Sequence, residues 1–473
     1  MNAHDLLGLG YPPGKAIGIA LQVADEAAAQ GEAESALLET LRAVLAKPEA
    51  FSADPRYKGL AKELMRVREQ PKAYQLDTYA PYRVWGREQI EPGALQQMER
   101  AVRLPIAVRG ALMPDAHQGY GLPIGGVLAT YNAVIPYAVG VDIACRMRLT
   151  IFEAPPHLLE QKKERFRKAL EENTCFGAGN AWPVPRQHAV MDDPLWREHP
   201  VARQLKDLAW RQLGTSGSGN HFVEFGVLDV STPFETPEGA VPIGRYLALL
   251  SHSGSRRFGY EIANHYTRIA MSSHSGLPKD FQHLAWLDLA WSAGAEYWEA
   301  MQLAGRYASA NHAVIHQQLV AAVRLPVLGV VENHHNFAWR EVVDGQEVIV
   351  HRKGATPAGE GALGVIPGSM ADRGYVVRGR GVAAALNSAA HGAGRRMSRA
   401  EAFRRFNWDI IKRKLRDQGV EVLSAGLDEV PNCYKAIDEV MAAQADLVEV
   451  LASFQPKLVK MDGSPRSSYH PED

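Results

Sequence analysis

Val139-Gly-Val-Asp142-Ile-Ala-Cys145-Arg146 sets a carboxylate and a thiol three residues apart. An apolar run over residues 133–141 leads into it and reads as a buried strand, with glycine beside the acid. An acid and a thiol held together at a strand end can share one metal ion or bridge two. The same residues also fit a buried cysteine behind a turn aspartate. The choice between these readings rests on the histidines elsewhere in the chain.

Downstream, residues 214–226 read as a flexible loop entering a short strand. Strand side chains alternate, so Asn220, Phe222 and Glu224 share one face and His221 takes the other. One face can then hold a base and the opposite face a metal. Residues 249–259 repeat the design, with His252 and Arg256 in a Ser/Gly loop after an apolar strand end and a helix expected from Tyr260. Hydroxyls, amides and the guanidinium there form an anion cradle; a solvated loop arginine is the plainer alternative. A strand over residues 323–331 leads to His335, and the Asp344-Gly345 turn closes a hairpin of residues 337–343 and 347–352. That hairpin places His335 and His351 at its far end, next to Arg352 and Lys353. His391 follows, framed by glycines and open to a cleft, and Ser398 with Glu401 forms a capping box for a basic helix reaching Arg416.

The remaining stretches are less informative. Residues 1–75 read as helices over 15–30, 34–45 and 55–68, separated by Gly31 and Pro48. Their opening, Gly8 to Lys15, lacks the Gly-Lys-Ser/Thr ending of a phosphate loop and carries prolines where backbone donors are needed. Residues 113–126 read as a glycine-rich loop bearing Asp115 and His117, either a ligand-approaching loop or an ordinary turn. In a long helix over residues 280–319, His312 and His316 stand one turn apart without a third ligand, which favours a buried helix face over a metal pair. A second glycine-rich loop over residues 359–370 carries Ser369, and a short strand is expected at 375–377. After Tyr434 an amphipathic helix is expected through Phe454, then a short strand over residues 457–461 with Lys460 and a frayed tail beyond Gly463.

Composition bounds the class. A chain of 473 residues with 46% hydrophobic and 22% charged residues suits a globular enzyme with a sizeable core. No apolar run approaches the roughly 20 residues that span a bilayer, and no signal-peptide pattern opens the chain, so a cytoplasmic protein is expected. Three scattered cysteines argue against a disulfide framework and leave thiols available as ligands. A net charge of -1 excludes a broadly basic nucleic-acid coat, though not a local groove. The helices over residues 162–168 and 395–416 are basic enough for RNA backbone, or are simply solvated faces. Seventeen histidines are many for this length. Metal-capable residues stand at five strand-to-loop junctions, namely Asp142 with Cys145, His221, His252, His335 and His391. Their spacing favours a multi-ligand metal site without naming the metal.

The stretches Val-Gly-Val-Asp142-Ile-Ala-Cys145, Gly219-Asn220-His221-Phe-Val-Glu224, His252-Ser-Gly-Ser-Arg256, His335-Asn336, His351-Arg-Lys-Gly-Ala, Ile366-Pro-Gly-Ser369-Met and His391-Gly-Ala-Gly-Arg, in this order, resemble the motif series of the RtcB family of RNA ligases. The resemblance covers residues 80–463. It implies an α+β fold with mixed and antiparallel sheets around a central metal cleft, residues 76–473 forming the catalytic domain and residues 1–75 a helical extension. It further implies a GTP-dependent enzyme of RNA repair or tRNA splicing that joins an RNA 3′-phosphate or 2′,3′-cyclic phosphate to a 5′-hydroxyl. Two manganese ions are implied, bridged by Cys145, with His221 and His252 completing one and Asp142 and His335 the other. His391 is then the nucleophile that takes GMP, supported by Asp115. Asn220, Phe222, Glu224, Ser369, Tyr434 and Lys460 surround the nucleotide, and Arg256 and Arg399 lie near phosphates. Some members of the family work with an archease-type activator.

Elementary chemistry agrees with these roles. A neutral imidazole is a competent nucleophile at phosphorus once divalent charge offsets the triphosphate. A carboxylate at Glu224 accepts the guanine N1 and N2 protons, which adenine lacks. Departures are local: Ala144-Cys145-Arg146 replaces the usual Gly-Cys-Gly and is expected to set a cation beside the metals, while Ala371-Asp372-Arg373 and Lys460-Met-Asp-Gly463 are also unusual. A metal-dependent phosphoesterase or RNA-end modifying enzyme, or a non-catalytic RNA-binding paralogue, remain the alternatives on the same scaffold.

Overall fold

The computed structural model describes residues 2–9, 11, 14–69 and 74–464. The chain divides into two compact units, residues 1–74 with 272–277 and residues 75–271 with 278–473. In the first, helices Lys15–Ala29, Glu34–Ala46 and Lys58–Glu69 turn apolar positions at helical spacing onto one core. Ile17, Ala20, Val23, Leu37, Leu41, Leu60 and Leu64 meet there. The Tyr11 hydroxyl, buried with them, donates to the Leu41 carbonyl at 2.8 Å. Residues 465–473, where a frayed tail was expected, lie outside the described residues, as do Gly10, Pro12 and Pro13 of the proline-containing opening.

The second unit is α+β. An eight-stranded sheet runs in the order Val327–His334, Arg146–Phe152, Gly244–Ser253, Phe222–Val230, Val448–Met461, Gly374–Gly379 and Leu363–Ile366, with Glu421–Ser424 pairing parallel to Val448–Met461. A five-stranded sheet holds Tyr82–Val84, Ala107–His117, Ile124–Thr130, Gln346–Lys353 and Asn336–Val343. Alternation gives the larger sheet two apolar faces. Met147, Leu149, Leu228 and Leu250 fill one, while Val223, Phe225, Leu247 and Leu249 pack the other against Ile315, Leu319 and Val323 of the helix Ser292–Val323. Among the described residues no helix is long and apolar enough to cross a membrane.

Register positions the site. Arg146 pairs with both Ser253 and His334, and Phe222 pairs with both His252 and Met461. Four neighbouring strands therefore bring Cys145, His252, Phe222 and His335 to one end of the sheet.

Several expected elements differ. The run 133–141 is a two-residue strand, Ala133–Val134, followed by the one-turn helix Pro136–Val139. Pro136 occupies the first helical turn, where its missing N–H costs nothing. Asp115 and His117 lie on the strand Ala107–His117 rather than in a glycine loop, since only residues 118–123 form the connection. Past Tyr434 the helix is short, Ile437–Ala442, and the rest is one strand, Val448–Met461. Leu451, Ala452 and Phe454 pack into one core and Leu458 into the other, which blurs the period that separates strand from helix. The long helix begins at Ser292 after a 3-10 turn at Lys279–Leu284 and runs on to Val323, so the strand after it starts at Val327. The helix expected from Tyr260 starts at Arg256, the loop 359–370 contains the strand Leu363–Ile366, and the basic helix breaks into Arg399–Arg405 and Trp408–Asp417. Ser398 does cap the first of these, its Oγ accepting from Glu401 N at 3.2 Å.

Candidate functional site

The sheet end opens into a cavity of about 910 Å³ lined by Asp142, Cys145, His252, His335, His391 and the residues described below. The Sγ of Cys145 and the Nε2 atoms of His221 and His252 lie within 4.8 Å of one another. Cys145 Sγ is 3.0 Å from His252 Nε2 and 3.5 Å from His221 Nε2. Asp142 Oδ2 joins at 3.1 Å from His221 Nε2, and His335 Nε2 at 3.2 Å from His252 Nε2.

This donor set fits a divalent cation. Asp142 Oδ1 and His335 Nδ1 are buried with no hydrogen-bond partner among the described residues, as expected where a ligand is to supply the missing contact. His252 Nδ1 hydrogen-bonds the Asn220 carbonyl at 3.2 Å, which puts its proton there and leaves the Nε2 lone pair facing the cluster. Burial drives His252 down to about 3, aided by its histidine neighbours, and holds His335 well below the usual histidine range, so both rings are neutral near pH 7 and able to act as ligands. Burial pushes Asp142 up, but hydrogen bonds from His221 and Cys145 and the Arg256 charge more than offset it, so the carboxylate stays ionised. Arg256 faces His221 Nδ1 at 3.3 Å, which places the His221 proton on Nε2 toward Asp142. Gly254 is required beside it, because a Cβ there would stand 2.1 Å from Asp142 Oδ1.

His391 follows the short strand Ser388–Ala390 and stands across from Asp115. Asp115 Oδ2 accepts from His391 Nδ1 at 2.6 Å and from the backbone N–H groups of His391 at 3.1 Å and Gly392 at 3.4 Å. Asp115 is fully buried and its Oδ1 has no partner among the described residues. The arrangement fixes the Nδ1–H tautomer and leaves Nε2 with its lone pair. The His391 and His335 rings are 4.8 Å apart, so this lone pair belongs to the same cavity as the cation donors.

Asn220, Phe222, Glu224, Ser369, Arg399 and Tyr434 line the cavity as well. Burial pushes Glu224 well above the usual carboxylate range, so it holds a proton in the absence of a ligand. Ser369 Oγ donates to Asp372 Oδ2 at 2.5 Å. Arg399 pairs with Asp428 at 2.7 Å and with Glu429, which also takes the Tyr434 hydroxyl. The acidic pair Asp428-Glu429, nearly fully buried, is thus the holder of two cavity residues that sequence reasoning passed over. Its only trace in the sequence is two acids beside apolar residues, a common surface pattern.

Three residues do not stand where expected. Lys460 turns away from the cavity and donates to the Leu170 carbonyl at 3.1 Å, because on this strand Val459 and Met461 take the cavity side. Arg256 is fully buried behind His221, also bonding Thr215 Oγ1 at 3.3 Å, and does not line the cavity. Arg146 is no cation beside the donors. It is the first residue of a strand and points to the opposite face from Cys145, pairing with Glu332 at 3.1 Å and donating to the Gly305 carbonyl at 3.2 Å.

The chain is similar to known proteins over most of its length. Residues 97–462 match the family model described as tRNA-splicing ligase RtcB. The RNA-splicing ligase RtcB of Escherichia coli K12 is 34% identical over 412 residues, covering 79% of this chain and 95% of that protein. The tRNA-splicing ligases RtcB of Nanoarchaeum equitans and Thermococcus kodakarensis are 31% and 28% identical, covering 83% and 84% of this chain and 97% of each relative.

Proposed function

The chain belongs to the RtcB family of RNA-splicing ligases, and from that premise we propose that it joins RNA 3′-phosphate or 2′,3′-cyclic phosphate ends to 5′-hydroxyl ends through a GMP adduct on His391. One observation carries this reading: a histidine whose Nδ1 is held by buried Asp115 at 2.6 Å shares a cavity with a Cys/His/Asp donor cluster. Such a histidine is a nucleophile with its tautomer set.

The steps follow from the residues. His391 Nε2 attacks the α-phosphorus of GTP, forming a P–N bond while the bond to the β-phosphate oxygen breaks and pyrophosphate leaves. Asp115 keeps the Nδ1 proton in place and stabilises the charge that develops on the ring. An oxygen of the RNA 3′-phosphate then attacks the GMP phosphorus, the P–N bond breaks, and the RNA end carries GMP through a diphosphate. The 5′-hydroxyl attacks the RNA phosphorus, loses its proton and displaces GMP, closing the phosphodiester. A 2′,3′-cyclic phosphate is hydrolysed to the 3′-phosphate beforehand. Cys145, Asp142, His221, His252 and His335 would hold two manganese ions, which when bound would supply positive charge to the phosphates.

Glu224 and Phe222 form the guanine site in this reading. The carboxyl gives up its proton to accept from guanine N1 and N2, and Asn220, Ser369 and Tyr434 close around the nucleotide. The test is labelling with [α-32P]GTP and manganese. The wild-type chain takes up acid-labile label and His391→Ala takes up none; absence of label on the wild type overturns the reading. Phosphate release by His391→Ala would identify a phosphoesterase instead.

A further inference from the structure

One cavity wall is used by none of these steps. Tyr120, in the 118–123 connection, is 67% exposed and lines the cavity. Its ring lies 6.4 Å from that of Tyr137 and 5.7 Å from that of His283, and the last two are 4.9 Å apart. Burial and the nearby Lys353 charge hold His283 below the usual histidine range, so the third ring is neutral too. Beneath them Lys353, 8% exposed, donates to the Tyr120 carbonyl and sits 5.6 Å from the centre of the Tyr137 ring. Among the described residues no carboxylate pairs with this ammonium, and burial alone brings it down to about 7. A buried ammonium facing a cavity without a counter-charge gives up its proton readily unless an anion comes to hold it. The neighbouring Gly354 abuts the nucleophile, since a Cβ there would stand 3.1 Å from His391 Cε1.

We propose that this wall is the subsite for the terminal nucleotide of the RNA 3′-phosphate end, its base stacked on Tyr120 against the Tyr137–His283 pair and its phosphate on Lys353. Unstacked RNA ends are bound by aromatic platforms joined to cationic groups, and every base offers a π-face to them. The guanine site of the proposed reaction is built from other elements, the strands Phe222–Val230 and Val448–Met461 and the loop at Ser369, and none of them contributes a ring here. A second nucleotide site one residue from His391 is what transfer of GMP to an RNA phosphate needs. The assignment rests on the RNA-ligase reading but is tested by binding alone.

The probe is a short single-stranded RNA ending in 2-aminopurine nucleotide 3′-phosphate, with manganese present and GTP absent. On the wild type, stacking quenches the fluorescence, and the 3′-phosphate RNA binds about tenfold tighter than its 3′-hydroxyl counterpart. Tyr120→Ala is expected to lose the quenching and about tenfold in affinity, with Tyr120→Phe restoring both. Lys353→Met is expected to erase the preference for the 3′-phosphate while leaving the melting temperature unchanged or higher, because it removes an unpaired buried charge. Quenching that survives in Tyr120→Ala, or a 3′-phosphate preference that survives in folded Lys353→Met, overturns the subsite. A wild type that binds this way yet forms no GMP adduct refutes the ligation chemistry and not the subsite.

Discussion

Two groups of buried histidines lie close together in this unit, and they differ in what faces their ring nitrogens. His252 and His335 present Nε2 atoms to each other at 3.2 Å, His252 Nε2 also faces Cys145 Sγ at 3.0 Å, and His335 Nδ1 is buried without a partner among the described residues. His312 and His316, on the helix behind the same strand, have every nitrogen matched. His312 Nε2 donates to the Ser253 carbonyl at 3.0 Å, so its Nδ1 accepts from Ser251 Oγ at 2.8 Å. Ser251 Oγ in turn accepts from His316 Nε2 at 2.8 Å, and His316 Nδ1 accepts from Thr150 Oγ1 at 2.7 Å. His351 is closed in the same way, its Nε2 accepting from Ile135 N at 2.9 Å and its Nδ1 donating to the Leu128 carbonyl at 3.1 Å. Burial makes both groups neutral, bringing His312 and His252 alike to about 3. Burial therefore does not distinguish a ligand from a structural histidine; the balance of donors and acceptors does.

The sharpest way to break this contrast is Cys145→Ala. Loss of the central donor is expected to strip manganese from the purified protein, read by elemental analysis, and to abolish GMP adduct formation. Retained metal would mean that the facing nitrogens are not ligands. Asp115→Asn comes next, because an amide can hold the wrong tautomer of His391. Adduct formation should fall by about 10⁴-fold with metal content intact, and a rate close to wild type would remove Asp115 from its role. His316→Leu tests the other group. It leaves Ser251 and Thr150 short of partners and is expected to cost about 1–3 kcal/mol in denaturant unfolding, again with metal content intact.

Proton linkage gives two smaller tests. The matched histidines are held neutral while the unfolded chain protonates them near pH 6.5. The unfolded state thus binds more protons below that pH, and stability, full above about pH 6.5, falls as pH drops. A melting temperature flat from pH 7.5 to pH 5 would contradict the neutral assignment. Glu224 is the acid counterpart: its raised carboxyl must lose a proton to take guanine, so GTP affinity should rise with pH by at most about tenfold per unit. Glu224→Gln should flatten that dependence, and an unchanged slope in this variant would place the titrating group elsewhere.

Much of the site was legible because its signals are local. Histidines next to glycines at strand ends, and the alternation of Asn220, Phe222 and Glu224, are visible within a few residues. The dismissal of His312 and His316 as ligands needed only the absence of a third donor nearby. Lys353 was visible merely as one charge in Arg352-Lys353, since nothing local tells that Arg352 pairs with Glu341 while its neighbour has no acid partner among the described residues. The first part of the strand Val448–Met461, up to Phe454, reads as helix for a related reason, since its pairing with Phe222–Val230 and Gly374–Gly379 is long-range, whereas residues 457–461 are strand as expected.

Residue types, order and spacing by themselves determined the α+β class, the family and which side chains are candidates for chemistry, because donor chemistry and motif spacing belong to the chain. The directions of those side chains were decided by the tertiary structure alone. Cys145 and Arg146 are adjacent in sequence and occupy opposite faces of one sheet; Val459 and Lys460 do the same. A period of two separates neighbours absolutely, and only the register with the strands on either side says which neighbour meets the cavity.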